Sequence, residues 1–202
     1  MLCGKFACAM MAAAGIVASA NADLVSHLAV DNFFDLYISS DDSTQGTLIG
    51  SGNNWQVTSN FNTVLATLPL GGTYYIHARA RGDGSTIEAF IGDFAVDSRF
   101  RFDNGLTSIT TNTTNWRESS TGWGNWNLSP VSAGQNGVSP WGFRNGISAN
   151  ATWLRYDLGT TRYFSTTITS VVPLPPAAMS GVACLATIGG LALVRRRRLA
   201  RA

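Results

Sequence analysis

Along the middle of this chain hydrophobic and polar residues alternate in short runs, and clusters of glycine, serine, asparagine and aspartate separate the runs. Period-two alternation in β-branched and aromatic residues marks half-buried strands. The pattern predicts strands over Leu24 to Val30, Phe33 to Ser39, Thr47 to Ile49, Thr63 to Leu68, Thr73 to Ala80, Ile87 to Val96, Ser108 to Thr111, Ala151 to Leu158 and Tyr163 to Val172. Turn residues fall between them at Ser40-Asp41-Asp42-Ser43, Gly50-Ser51-Gly52-Asn53-Asn54, Gly71-Gly72 and Arg81-Gly82-Asp83-Gly84-Ser85. No window there sustains a helical period. Short strands at this spacing, with no helices between them, predict an all-β fold: one antiparallel β-sandwich, of a length that suits a jelly roll.

Both ends depart from that pattern. Lys5 precedes the apolar stretch Phe6 to Val17, and Ala20-Asn21-Ala22 supplies the small residues after which a signal peptidase cuts. Residues 1–22 are therefore expected to be a signal peptide, and the exported chain to start at Asp23. At the other end, Val171-Val172-Pro173-Leu174-Pro175-Pro176 leads into the apolar run Ala177 to Val194 and then Arg195-Arg196-Arg197-Arg198. The prolines stop the preceding strand, and roughly 18 apolar residues just suffice for one transmembrane helix. The arginines hold its end on the cytoplasmic side. Ala177, Ala178, Gly181, Ala183, Gly189 and Gly190 keep this helix marginally hydrophobic, which suits a transient anchor.

Over residues 172 to about 201 this order of parts resembles the PEP-CTERM sorting signal of Gram-negative bacteria, which an exosortase recognises. The usual Val-Pro-Glu-Pro reads Val172-Pro173-Leu174-Pro175 here, with leucine in place of glutamate. The resemblance implies that Val172, Pro173, Leu174, Pro175 and Arg195, Arg196, Arg197, Arg198 form the sorting motif. It also implies two processing partners, signal peptidase and an exosortase-type enzyme, with exopolysaccharide as a third. The chain is then anchored in the membrane transiently and ends at the cell surface or in the extracellular biofilm matrix. An ordinary single-span tail anchor explains the helix and the arginines but not the proline doublet. The expected organisation is a signal peptide (1–22), a β-sandwich domain (23–171) and a sorting signal (172–202) with its helix at 177–194.

Setting the two end segments aside changes the charge and the thiol chemistry. The 202-residue chain carries a formal +2, yet residues 23 to 172 hold eight arginines against twelve acids, a net of −4 (8 − 12). Single arginines spread between Arg79 and Arg162 form no basic patch, so nucleic acid is not an expected partner. All three cysteines, Cys3, Cys8 and Cys184, lie in the end segments. The body is left with no disulfide, no cysteine metal site and no cysteine nucleophile, and packing must stabilise it.

Within the body a second resemblance emerges. Asp31-Asn32-Phe33-Phe34-Asp35-Leu36-Tyr37-Ile38, followed by Gly50-Ser51-Gly52-Asn53-Asn54-Trp55, resembles the opening of the galactose-binding-like jelly rolls. Gly71 to Ala80, Ala89 to Phe94, Pro140-Trp141-Gly142 and Ala149 to Leu154 fit the same pattern in short pieces. That resemblance implies a fold rather than a ligand, since the same jelly roll hosts sugar binders, peptide binders and spacers.

Residues 112 to 146 differ in texture: Trp116, Trp123, Trp126, Trp141 and Phe143 stand among Asn, Ser, Gly and Thr, with few aliphatic residues. Indole faces beside amides and hydroxyls suit sugar binding, which makes Trp123, Trp126, Trp116 and Asn125 the candidate carbohydrate-binding residues. The competing reading is that the tryptophans plug the end of the sandwich; Trp141 is expected to do so, Trp123 and Trp126 to be the more exposed pair, and Trp55 and Trp153 to be core.

Catalysis finds little footing. His27 and His77 read as strand-face residues, the latter alternating with Tyr75 and Arg79; Glu88 and Glu118 are the only glutamates, and neither a nucleophile elbow nor a zinc helix nor a phosphate loop occurs. The protein is expected not to be an enzyme and to need no cofactor. Calcium is the one ion with ligands on offer, at Asp41-Asp42-Ser43 and Asp83-Gly84-Ser85, although turns require the same residues for backbone reasons. The threonine-rich Thr107 to Thr114 raises ice binding as a further alternative, without the regular repeat a flat ice face needs.

Overall fold

The computed structural model describes residues 23–84 and 87–172. The expected signal peptide and the part of the expected sorting signal beyond Val172 lie outside the described residues.

Among the described residues twelve strands form: β1 Asp23–Val30, β2 Phe33–Ser39, β3 Thr47–Gly52, β4 Ser59–Val64, β5 Thr73–Arg81, β6 Glu88–Val96, β7 Phe100–Phe102, β8 Ser108–Thr110, β9 Arg117–Ser119, β10 Val131–Gln135, β11 Thr152–Tyr156 and β12 Thr161–Ser170. They make two six-stranded sheets, and every pairing is antiparallel. Sheet A runs β10-β11-β6-β1-β4 with β8 also on β6; sheet B runs β3-β2-β5-β12-β7 with β9 also on β12. The described region is thus an all-β two-sheet sandwich.

Alternation explains which side chains meet. From sheet A, Leu24, Leu28, Phe90, Phe94 and Leu154 point inward; from sheet B, Phe34, Leu36, Ile76, Ala78, Phe164 and Ile168 face them, all buried in one cluster. Removing this apolar surface from water is the main stabilising term in a body without disulfides.

Both sheets also bury part of their outer faces, which alternation does not reveal. On sheet A the loop from Asn136 to Asn150 folds back, and Trp141 and Ile147 pack on Ala29, Ala89, Ile91 and Trp153 in a second apolar cluster. Trp141 stacks on Trp153 with centroids 4.7 Å apart and donates its Nε1–H to Asp31 Oδ2 at 2.9 Å. Asn136 pins the loop: its Nδ2 donates to the carbonyls of Arg144 (3.0 Å) and Ile147 (2.9 Å), and its Oδ1 accepts from Arg144 N (2.7 Å). Trp141 is a buried plug as expected and Trp153 is core, whereas Trp55 sits half-buried at the edge of this cluster.

Four departures from the predicted strands have local causes. The segment read as a strand from Thr63 to Leu68 is β4 only as far as Val64, which lies opposite Asp23, the first residue of β1. Beyond that point no partner continues among the described residues, and the chain turns, with Leu68 N donating to Leu65 O at 3.0 Å. Strands β7, β9 and β10 were not expected. The first two are three-residue pieces lying against β12, and β10 is a largely polar edge strand against β11.

Candidate functional site

The aromatic region that drew notice in the sequence lands on the outer face of sheet B. Alternation places Tyr75, His77 and Arg79 of β5 outward, with Asp35, Tyr37 and Ser39 of β2 and Tyr163, Ser165 and Thr167 of β12 beside them. Register sets Tyr37 opposite His77, His77 opposite Ser165 and Ser165 opposite Arg117, so these four form one row across the sheet.

The loop after β9 lies over that row. Trp123 stacks flat on His77, with centroids 4.3 Å apart and planes 7° from parallel. Tyr163 and Tyr37 meet it edgewise, at 4.7 Å and 6.2 Å. Trp126 follows, with the Arg117 guanidinium 4.7 Å above its ring and 5.8 Å from that of Tyr75. Such cation–aromatic contacts stabilise by about 0.5–1 kcal/mol when exposed and more when dry.

A second loop closes the group. In the β2–β3 turn, Asp41 Oδ1 accepts from the backbone N–H and the hydroxyl of Ser43, both at 2.8 Å. That turn holds Asp42, whose carboxylate accepts from Arg117 at 3.0 and 2.9 Å and from Trp126 Nε1–H at 2.8 Å. The two loops touch where Gly124 meets Ser43: a Cβ there would lie 2.9 Å from the Ser43 Cβ, and φ is +77°, so glycine is required on both counts. Asn125 donates its amide to Thr121 Oγ1 at 2.7 Å, within its own loop.

His77 is fully buried beneath this cover, and burial lowers its pKa below the usual histidine value, the Asp42 carboxylate opposing the shift from 3.8 Å. A neutral imidazole under an indole is a packing element. His27 lies on the other sheet and bonds Asp93 at 3.1 Å, so the two histidines belong to different faces of the molecule.

Of the sequence candidates, Trp123 and Trp126 come together, each half-buried, with Asn125 exposed beside them. Each ring already gives a face to an internal partner. Trp116 does not join them: it is 2% exposed, wedged in the central core against Phe90 and Phe94, with Nε1–H donating to Thr110 O at 3.2 Å. Val172, where the expected sorting motif begins, is exposed just after β12.

The two glutamates are also committed to the fold. Glu88 accepts from Gly84 N at 2.7 Å and Gly159 N at 2.9 Å, tying two loops at one end of the sandwich. Glu118 is buried and paired with Arg162 Nε at 3.2 Å. Burial raises its pKa to about 7, against the opposing pull of that arginine.

One surface feature escaped the sequence reading. On the outer face of sheet A a groove of about 520 Å³ runs beside β8, lined by Asp93, Asn104, Ser108, Thr110, Asn115 and Asn150 among others. The density of asparagine between 104 and 115 and again at 145 and 150 was the available signal.

Fold and surfaces together define a cysteine-free β-sandwich with capped outer faces. Compared with known proteins, the chain matches no family model, no curated protein and no solved structure.

Proposed function

We propose that this is a non-catalytic protein of the bacterial cell surface or extracellular matrix, exported by a signal peptide and sorted by an exosortase-type enzyme into an exopolysaccharide-rich biofilm. Its body would be a jelly-roll-like sandwich held between a signal peptide (1–22) and a single transmembrane helix (177–194). The observation that carries the reading is the pairing, in one chain, of Ala20-Asn21-Ala22 with Val172-Pro173-Leu174-Pro175 and Arg195 to Arg198, around a sandwich whose thiols all lie in those end segments. A body without cysteine suits an oxidising exterior, where free thiols react. Structural commitment of both glutamates supports a non-catalytic role.

Mass spectrometry of the mature protein from its host tests the reading. A start near Asp23 and no peptide from Ala177 onward are expected. An intact C-terminus on protein recovered from the outer surface would refute the sorting step.

The alternative, a lectin-like module stacking sugar on Trp123 and Trp126, rests on their half-exposure and on the exposed Asn125 beside them. It requires glycan binding that falls when either ring is removed.

A further inference from the structure

The groove on the outer face of sheet A is built from β6, β8 and the turns that flank them. Asp93 and Ala95 of β6 lie opposite Thr110 and Ser108 of β8, and Ser148 and Asn150 close the far side. At about 520 Å³ it falls within the usual range of ligand clefts, about 300–1,000 Å³.

Its hydrogen-bonding inventory is divided between fixed and unused groups. Asp93 is fixed: Oδ1 bonds His27 Nδ1 at 3.1 Å and Oδ2 accepts from Ser148 N at 3.1 Å. Asn112 is fixed too, its Oδ1 accepting from Thr114 N at 2.9 Å and Asn115 N at 2.7 Å, and its Nδ2 donating to Thr110 O at 3.0 Å. These bonds make a tight turn that brings Asn115 to the groove. The side chains of Asn115, Asn150, Ser108 and Thr110 make no internal hydrogen bond among the described residues. Each such amide or hydroxyl can both donate and accept. Leu106, 59% exposed, adds an apolar wall beside them.

Among the described residues the lining contains no lysine or arginine, and its one charge is the Asp93 carboxylate. A phosphate, sulfate or uronate would meet a negative group and no cation, so the chemistry excludes anions. Paired donor–acceptor groups next to an aliphatic wall instead match a pyranose, whose hydroxyls donate and accept and whose C–H face is apolar.

We propose that this groove binds a neutral polysaccharide chain, with Asn115, Asn150, Ser108 and Thr110 bonding hydroxyls and Leu106 covering a sugar face. The inference deepens the matrix reading and rests on it for the setting in which the ligand is met. The site differs from the tryptophan pair, which lies on the opposite sheet.

The test uses the full chain in mild detergent, titrated calorimetrically with cellohexaose, maltohexaose and chitohexaose as neutral probes and an alginate hexamer as the anionic one. At least one neutral probe should bind and the alginate should not. Asn150→Ala and Asn115→Ala should each weaken that binding roughly tenfold, as loss of a bond to an otherwise unreplaced hydroxyl does. Ser108→Arg, which fills the groove from its exposed rim, should abolish it while the circular dichroism spectrum stays that of the parent. Should one asparagine variant misfold, the Ser108 variant still reads the groove. Absence of binding by all neutral probes, preference for alginate, or binding that survives Ser108→Arg and is lost only in a Trp123→Ala/Trp126→Ala variant would each overturn the proposal. The processing reading is judged separately, since cleavage at the two ends is measured without any glycan.

Discussion

Two tryptophans only seven residues apart in sequence have different roles, and substitution should separate them. Trp116→Ala empties a site among Phe90 and Phe94 in the central core and should cost roughly 3–5 kcal/mol, as truncation of a buried aromatic does. Trp123→Ala removes a half-exposed cover from His77 and should cost about 1–3 kcal/mol, within the range of a typical destabilising substitution. Denaturant unfolding followed by far-ultraviolet circular dichroism measures both; equal losses would mean that the outer face of sheet B is packed as firmly as the core. Ionisation adds a second prediction at this scale. Glu118 has a folded pKa of about 7 against an ordinary 4.5, so the folded state binds more protons than the unfolded one between those values, and its contribution to stability falls as pH rises through that window. His77 works in the opposite sense. Its folded pKa lies below 6.5, so protonation of the unfolded chain removes stability as pH falls below 6.5. The two contributions oppose each other just below pH 6.5. Glu118→Gln should therefore expose a melting temperature that rises with pH up to about 6.5, where the parent is flatter; a slope unchanged by the substitution would show that Glu118 ionises normally in the fold.

Where elements join, one hydroxyl carries an unusual share of the bonding. Thr111, just past β8, takes a hydrogen bond from Gly92 N at 3.1 Å and donates within reach of Thr152 O at 2.7 Å, while its own N–H bonds Gly92 O at 2.9 Å. It thereby fastens β8 and β11 end to end along the same edge of β6. Thr111→Val keeps the shape and the main-chain bonds but strips the hydroxyl, leaving a buried amide and a carbonyl poorly satisfied, and should cost about 1–3 kcal/mol by thermal or denaturant unfolding. A neutral result would mean that the backbone pairing alone holds the joint. This joint also shows what could be read in advance and what could not. The long strands were legible because each buries alternate residues in one core: Tyr74, Ile76, Ala78 and Ala80 against Tyr75, His77 and Arg79 is a plain period of two. Arg117 to Ser119 carries no such signal, because its three residues pair with β12 and their role is set by where Tyr163 to Ser165 happen to lie. The same limit applied to the surfaces. Aromatic density in the sequence pointed to residues 112–146, but only the fold divides them into a core residue (Trp116), a plug on sheet A (Trp141) and a cover on sheet B (Trp123 and Trp126). The groove was less visible still, since Asp93, the 104–115 segment and Asn150 come from separate stretches of the chain and share no motif.

Taken as a whole molecule, the body distributes its packing over a central core and a cover on the outer face of each sheet, so that two long loops, 120–127 and 136–150, belong to the folded structure. Loops whose tryptophans pack on a sheet and whose asparagines are pinned by hydrogen bonds are expected to open together with the sheets they cover. Since Cys3, Cys8 and Cys184 all fall outside residues 23 to 172, thiol chemistry has nothing to act on within that region. The polypeptide 23–172, made without either end segment, should therefore be soluble at a net charge of −4, show a circular dichroism spectrum dominated by strand, and unfold in one cooperative transition. Its melting temperature should be the same with and without reductant. The covering loops give the same experiment a second readout: with Trp116, Trp123, Trp126, Trp141 and Trp153 distributed over core and both covers, tryptophan fluorescence and far-ultraviolet circular dichroism should report one shared midpoint. A fluorescence transition well below the loss of strand signal would mean that the covers detach before the sandwich melts. In that case the outer face of sheet B, freed of Trp123, would expose His77 and Tyr37 to solvent in the native range, and the cover would have to be regarded as a separate, weaker unit.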